Sequence, residues 1–176
     1  MPGGKEVMTS ENQAVEVSIA CMFDAWEAVP GADEAVDTAV RAAVAAVGEG
    51  NEVELSFALV SDEQIREMNR TFRGQDKPTN VLSFPNGMML TGATDRVFLG
   101  DVAIALETVV AEARLGEKTP LDHLSHLTVH GVLHLFGYDH ETDAEAGRME
   151  ELERTILRGF GISDPYGPPA DAAEAA

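Results

Sequence analysis

Three of the five histidines in this chain, His130, His134 and His140, are spaced so that one divalent ion can join their imidazoles. Residues four apart on an α-helix share a face at about 5 to 6 Å, so His130 and His134 can each offer a nitrogen to the same metal. His140 follows Gly137 and the short turn Tyr138-Asp139 and can swing in to complete the set. Three protein nitrogens leave one position of a tetrahedral zinc open to water or substrate, the pattern of a catalytic rather than a structural site. We expect one Zn2+ per chain on coordination habit, although imidazole also suits copper, nickel and iron.

His123 and His126 fall on the same helical stripe. His126 and His134 are eight residues apart, about 12 Å along the axis, too far to share an ion with bonds of about 2.0 to 2.1 Å. Only the pair His130 and His134 is followed by a glycine turn that delivers another histidine. His123 and His126 are therefore read as packing or hydrogen-bonding groups, or as supports for the ligands.

A precise site needs a rigid helix, and this segment has both ends marked. Thr119 can cap it, Pro120 suits the first helical position, and Asp122 sits three residues after the cap. Gly137 can take the left-handed conformation that closes it. Leu121, Leu124, Leu127, Val129, Val132, Leu133, Leu135 and Phe136 make it apolar nearly all round, which places it in the core.

The spacing His-x3-His-x2-Gly-x2-His is also that of the metzincin metalloproteases, where a glutamate after the first histidine is the general base. Here that position is Gly131, which has no group to take a proton. Phosphodiester cleavage is the alternative, because a metal and a positioned cation stabilise charge on phosphoryl oxygens. The attacking group is then water or the 2′-hydroxyl of RNA. Gly131 also leaves room beside the metal, for substrate or for a packed neighbour. Arg66, Arg70, Arg73 and Lys77 crowd into one short window; a guanidinium suits phosphate, yet the same residues also read as ordinary surface charge. Asp139 is read as turn-forming or as orienting a ligand, and Asp101, inside an apolar run, as needing a buried partner.

Three segments together resemble the bacterial YbeY family of metal-dependent endoribonucleases: His126-Leu127-Thr128-Val129-His130 continuing through His140, Arg73-Gly74-Gln75-Asp76-Lys77-Pro78-Thr79-Asn80-Val81-Leu82-Ser83-Phe84-Pro85, and Leu99-Gly100-Asp101-Val102-Ala103-Ile104. The likeness runs from about Val15 to Tyr166. It implies that His130, His134 and His140 are zinc ligands and that Arg73 is the basic residue required for activity. It further implies a single-strand-specific endoribonuclease acting in rRNA processing, at the 3′ end of 16S rRNA, and in ribosome quality control. Its partners would be single-stranded RNA and the ribosome or small-subunit proteins, with no DNA and no membrane. Gln75 stands where the family usually has Lys. Two other readings share the histidines: a non-catalytic, zinc-stabilised ribosome-assembly factor, and a divergent metallopeptidase.

Apolar periodicity supplies the frame. Strands are indicated at 14–21, 52–60, 80–84 and 97–105, and helices at about 33–47, 62–72, 106–115, 119–136 and 142–158, the last with Ala146, Met149, Leu152 and Ile156 on one face. The expected fold is α+β, a small mixed sheet of about four strands with helices packed on it and a zincin-like central helix carrying the ligands. One domain is expected at 14–162, between a flexible N-terminal segment at 1–13 and a flexible tail at 163–176. The sequence shows no targeting segment and no apolar run of membrane length, and the lone Cys21 cannot form an internal disulfide; a cytoplasmic protein is expected. A net charge of −19 argues against a broad nucleic-acid surface. Any RNA site must then be local, and weak RNA affinity would be supplemented by a partner.

Overall fold

The computed structural model describes residues 8–12, 15–50, 52–85 and 97–167. Along the chain run β1 (Met8–Asn12), β2 (Val15–Cys21), a 3-10 turn at Asp24–Ala28, α1 (Ala32–Val47), β3 (Val53–Val60) and α2 (Asp62–Arg73). They are followed by β4 (Val81–Pro85), β5 (Val97–Ala105), α3 (Leu106–Leu115), α4 (Pro120–Leu135) and α5 (Asp143–Gly159). The sheet order is β1-β2-β3-β5-β4. β2, β3 and β5 are parallel neighbours, while β1 and β4 are antiparallel edges.

This is the anticipated α+β class with a mixed sheet, and among the described residues it has one strand more than the approximate count of four. The added strand, β1, falls inside the segment read as a loose end. Its backbone pairs with β2 from Met8↔Ile19 to Asn12↔Val15. An edge strand is held by main-chain bonds on one side and needs no apolar alternation, so periodicity does not reveal it.

Two apolar layers cover the sheet. The larger includes Val17, Ile19, Leu55, Phe57, Leu59, Val102 and Ile104 from the strands, packed with α1, α4 and α5. The smaller, Val60, Ile65, Leu82, Ala103 and Ala105, lies beneath α2. Cys21, at the end of β2, is half-buried and sends its thiol to the carbonyl of Phe23. Trp26 is buried in the larger layer and donates from Nε1 to the Val60 carbonyl at 3.0 Å.

Local chemistry sets the helix ends as anticipated. Ser61 and Gln64 form a reciprocal capping box on α2. Thr119 accepts from the Asp122 amide at the start of α4, with Pro120 in its first turn. At its other end, Gly137 adopts φ 93°, and the Tyr138 amide reaches back to the Leu133 carbonyl at 3.0 Å. That six-to-one bond turns the chain sharply and brings the following residues back beside the helix.

Candidate metal centre

α4 runs through the core, with Leu124, Val129, Val132 and Leu133 fully buried. Its histidine face meets α5 rather than the sheet. The Nε2 atoms of His130 and His134 approach to 3.0 Å, and the turn after Gly137 stacks His140 on His130, with ring centroids 5.5 Å apart. One nitrogen from each of His130, His134 and His140 lies within 4.8 Å of the other two. This donor set fits a borderline divalent ion: all three ligands are imidazoles, and two are held at one-turn spacing on a rigid helix. Burial, with His130 and His140 alongside, lowers the pKa of His134 and favours the neutral form that a metal needs. His130 and His134 are half-buried and His140 is exposed, so the cluster opens to solvent on the His140 side.

Behind the cluster lies a group that periodicity did not single out. Glu153 of α5 is fully buried and its Oε1 is 2.5 Å from His130 Nδ1. Its Oε2 accepts the hydroxyl of Tyr166 and lies 3.6 Å from His126 Nε2. Burial pushes this carboxyl up, but the imidazoles of His126 and His130 and the Tyr166 hydroxyl outweigh it and hold the pKa at about 2. The signal was present: Glu153 follows Met149 by four residues and precedes Ile156 and Leu157 on the buried stripe. The face anticipated through Ala146 and Leu152 is rotated toward Glu153 and Leu157, since Ala146 and Leu152 are only half-buried.

Tyr166 also revises the expected tail. Its ring lies between His126, at 5.4 Å between centroids, and the guanidinium of Arg154, at 5.3 Å. Lys118 donates to the Pro165 carbonyl at 2.8 Å, and Arg154 pairs with Asp164. Residues 163–167 are therefore tied down by specific polar contacts, which a composition rich in Pro and Ala does not disclose; residues 168–176 lie outside the described residues.

His123 and His126 make hydrogen bonds away from the cluster, one of the roles expected for them. His123 is buried and its Nε2 meets Glu112 at 3.2 Å, while Glu112 also accepts from Asn80. His126 reaches Tyr166 at 3.3 Å.

Arg73, at the end of α2, donates from Nη2 to the Ser83 carbonyl of β4 at 2.8 Å. Ser83 in turn donates from Oγ to the carbonyl of Gly131, the neighbour of His130. The other basic residues separate by partner: Arg66 forms a two-bond pair with Asp76, and Arg70 pairs with Glu67. Gly131 does not leave room for substrate. A Cβ there would meet Val102 Cγ1 at 2.9 Å and Ser83 Oγ at 3.3 Å, so the glycine lets α4 close on the sheet. Asp101 needs no buried partner, because it is exposed. Alternation turns it away from Val102, hence away from α4. Asp139 forms the turn, accepting the His140 amide at 2.8 Å.

A mixed sheet crossed by a buried helix, with two histidines on that helix and a third on the turn that ends it, defines an α+β protein able to hold one metal ion. The sequence model described as Endoribonuclease YbeY matches residues 26–161. The chain belongs to the Endoribonuclease YbeY family. It is 48% identical over 159 residues to the Endoribonuclease YbeY of Azorhizobium caulinodans, covering 89% of this chain and 99% of that protein. With the Rhodospirillum rubrum Endoribonuclease YbeY it shares 51% identity over 152 residues, 80% of this chain and 76% of the other. The solution structure of TM1509 from Thermotoga maritima superposes with a TM-score of 0.53 at 28% identity, over 86% of this chain and 99% of that one.

Proposed function

We propose that this protein is a metal-dependent endoribonuclease that cleaves single-stranded RNA, with His130, His134 and His140 as ligands of one zinc ion and Arg73 as the group that meets phosphate. The observation that carries the reading is the convergence of three imidazoles on one point at the open end of α4. When bound, the ion would supply Lewis acidity toward a phosphoryl oxygen or an attacking hydroxyl. Arg73 bonds the backbone of β4 at Ser83, and Ser83 bonds the carbonyl of Gly131, which follows His130 in α4. Phe72, the residue before it, is 68% exposed and sits edge-on to Phe84 at 5.3 Å, a face on which an unpaired base can stack.

The same reading extends to processing of ribosomal RNA, at the 3′ end of 16S rRNA, and to ribosome quality control in the cytoplasm. Weak grip on free RNA follows from the net charge of −19 and favours a substrate delivered with the ribosome or a small-subunit protein. Among the described residues no helix is long and apolar enough to cross a membrane. The catalytic domain, expected at 14–162, would extend to β1 at one end and to Tyr166 at the other.

The test compares wild type, His134→Ala and Arg73→Ala for metal content, melting temperature, RNA cleavage and peptide cleavage. Arg73→Ala should keep metal and fold while losing RNA cleavage, and His134→Ala should lose both metal and cleavage. Equal RNA cleavage by all three would point to a contaminating nuclease and refute the reading. Metal bound without cleavage of any substrate would favour a zinc-stabilised assembly factor, and cleavage of peptide a metallopeptidase.

A further inference from the structure

The ligand reading leaves open what aims the imidazole of His130. An imidazole has two nitrogens, and which one carries the proton is decided by the hydrogen bond that the other makes. His130 has Nε2 toward His134, at 3.0 Å, and Nδ1 toward Glu153, at 2.5 Å. A fully buried carboxylate is costly unless every lone pair it exposes is answered. Glu153 is answered on one oxygen by His130 and on the other by Tyr166, with His126 at 3.6 Å. α5 supplies the carboxylate, and Tyr166, seven residues beyond the end of that helix, supplies the hydroxyl.

We propose that Glu153 is the positioning residue of the metal centre, holding the His130 proton on Nδ1 so that Nε2 turns its lone pair to the point shared with His134 and His140, and that Tyr166 locks Glu153 in that role. The proposal rests on the three histidines being metal ligands. Its consequence is that residues 163–167, beyond the last helix, are part of the centre: Lys118 on Pro165 and Arg154 on Asp164 fix the turn that delivers the Tyr166 hydroxyl. Carboxylates and carbonyls that receive the outer nitrogen of a ligating histidine typically change metal affinity by about 10- to 100-fold when removed.

The test uses the full chain as wild type, Glu153→Gln and Tyr166→Phe. Nitrogen-15 NMR of the metal-free proteins reads the His130 tautomer directly, and competition with a chromophoric chelator reads affinity for Zn2+. We expect the Nδ1–H form in wild type and a mixture in Glu153→Gln. Zn2+ affinity should drop by about 10- to 100-fold in Glu153→Gln and by a smaller factor in Tyr166→Phe, with RNA cleavage restored in both by excess Zn2+. Tyr166→Phe removes one oxygen and keeps the ring, so it remains informative if Glu153→Gln does not fold. An Nε2–H form in metal-free wild type would overturn the proposal, as would Zn2+ affinities equal to wild type in both variants. A wild type that keeps Nδ1–H through Glu153 yet takes no metal would overturn the ligand reading and leave the pairing itself supported.

Discussion

Arg73 donates from Nη2 to the main-chain carbonyl of Ser83 at 2.8 Å, and this bond joins the Phe72–Phe84 ring contact in holding the C-terminal end of α2 to the edge strand that lies against α4. The contact uses one of the five donors of the guanidinium. The remaining donors can meet a phosphate without losing the tether.

Replacing Arg73 with Ala should therefore lower RNA cleavage by about 100- to 1000-fold while metal content and melting temperature stay close to wild type. Arg73→Lys should recover little, because a single ammonium at the end of a flexible stem does not reproduce the planar fork. Single-turnover kinetics with a labelled oligonucleotide would measure both; full activity in Arg73→Lys would show that charge alone suffices.

Withdrawal of metal should abolish RNA cleavage and leave the secondary structure in place, because the larger apolar layer is built from side chains of the strands and of α1, α4 and α5 and includes none of the three histidines. With free ion about a thousandfold above Kd, binding stabilises the fold by about 4 kcal/mol, or about 8 to 16 °C in melting temperature for a chain of this size. Circular dichroism melts with and without a chelator would show it. Loss of helix on chelation would instead mean that the metal builds the fold.

Gly131→Ala should destabilise the protein. The added methyl gains up to about 1 kcal/mol of helix propensity, but it drives into Val102 and Ser83, and overpacking of this kind costs about 1 to 3 kcal/mol. A net loss of about 1 kcal/mol is expected by urea denaturation. Gly131→Glu should fail to fold, not acquire peptidase activity, since the position faces the sheet.

Gly100→Ala should be worse. Its backbone sits at φ 144°, and a Cβ would lie 2.2 Å from the Phe84 carbonyl oxygen, which cannot move without breaking the β4–β5 pairing. A loss of about 3 kcal/mol or more is expected, with β4, and hence the Arg73 tether, the first casualty. Denaturant midpoints equal to wild type would contradict this account of the β4–β5 approach.

Binding of generic single-stranded RNA should be weak and only mildly salt-dependent. In the basic window Arg66 and Arg70 already have acidic partners, which leaves Arg73 and Lys77 there to displace counterions. With two or three phosphates contacted, log affinity against log salt should have a slope between about −1.4 and −2.1. Anisotropy titrations over a range of salt would read it, and a slope steeper than about −4 would require a basic surface that these contacts do not describe.

The amino-acid sequence by itself determined every described strand and α-helix except β1, and the histidine cluster, because these depend on local spacing. His130 and His134 share a helix face through the helical repeat, Gly137 must close that helix, and Ser61 with Gln64 announces the start of α2. Tertiary structure alone decided which residues stand behind the cluster. The stripe of Met149 and Ile156 turns Glu153 inward, but only the packing of α5 on α4 makes it the partner of His130. Tyr166 reads as part of a loose tail until its hydroxyl is seen to meet that carboxylate. Gly131 offers the same lesson in reverse: the missing side chain is visible in the sequence, but whether it makes room for substrate or for the sheet depends on which way α4 is rolled. Contacts between elements far apart in the chain carry no periodic signal, so they appear only when the helices and the sheet are assembled.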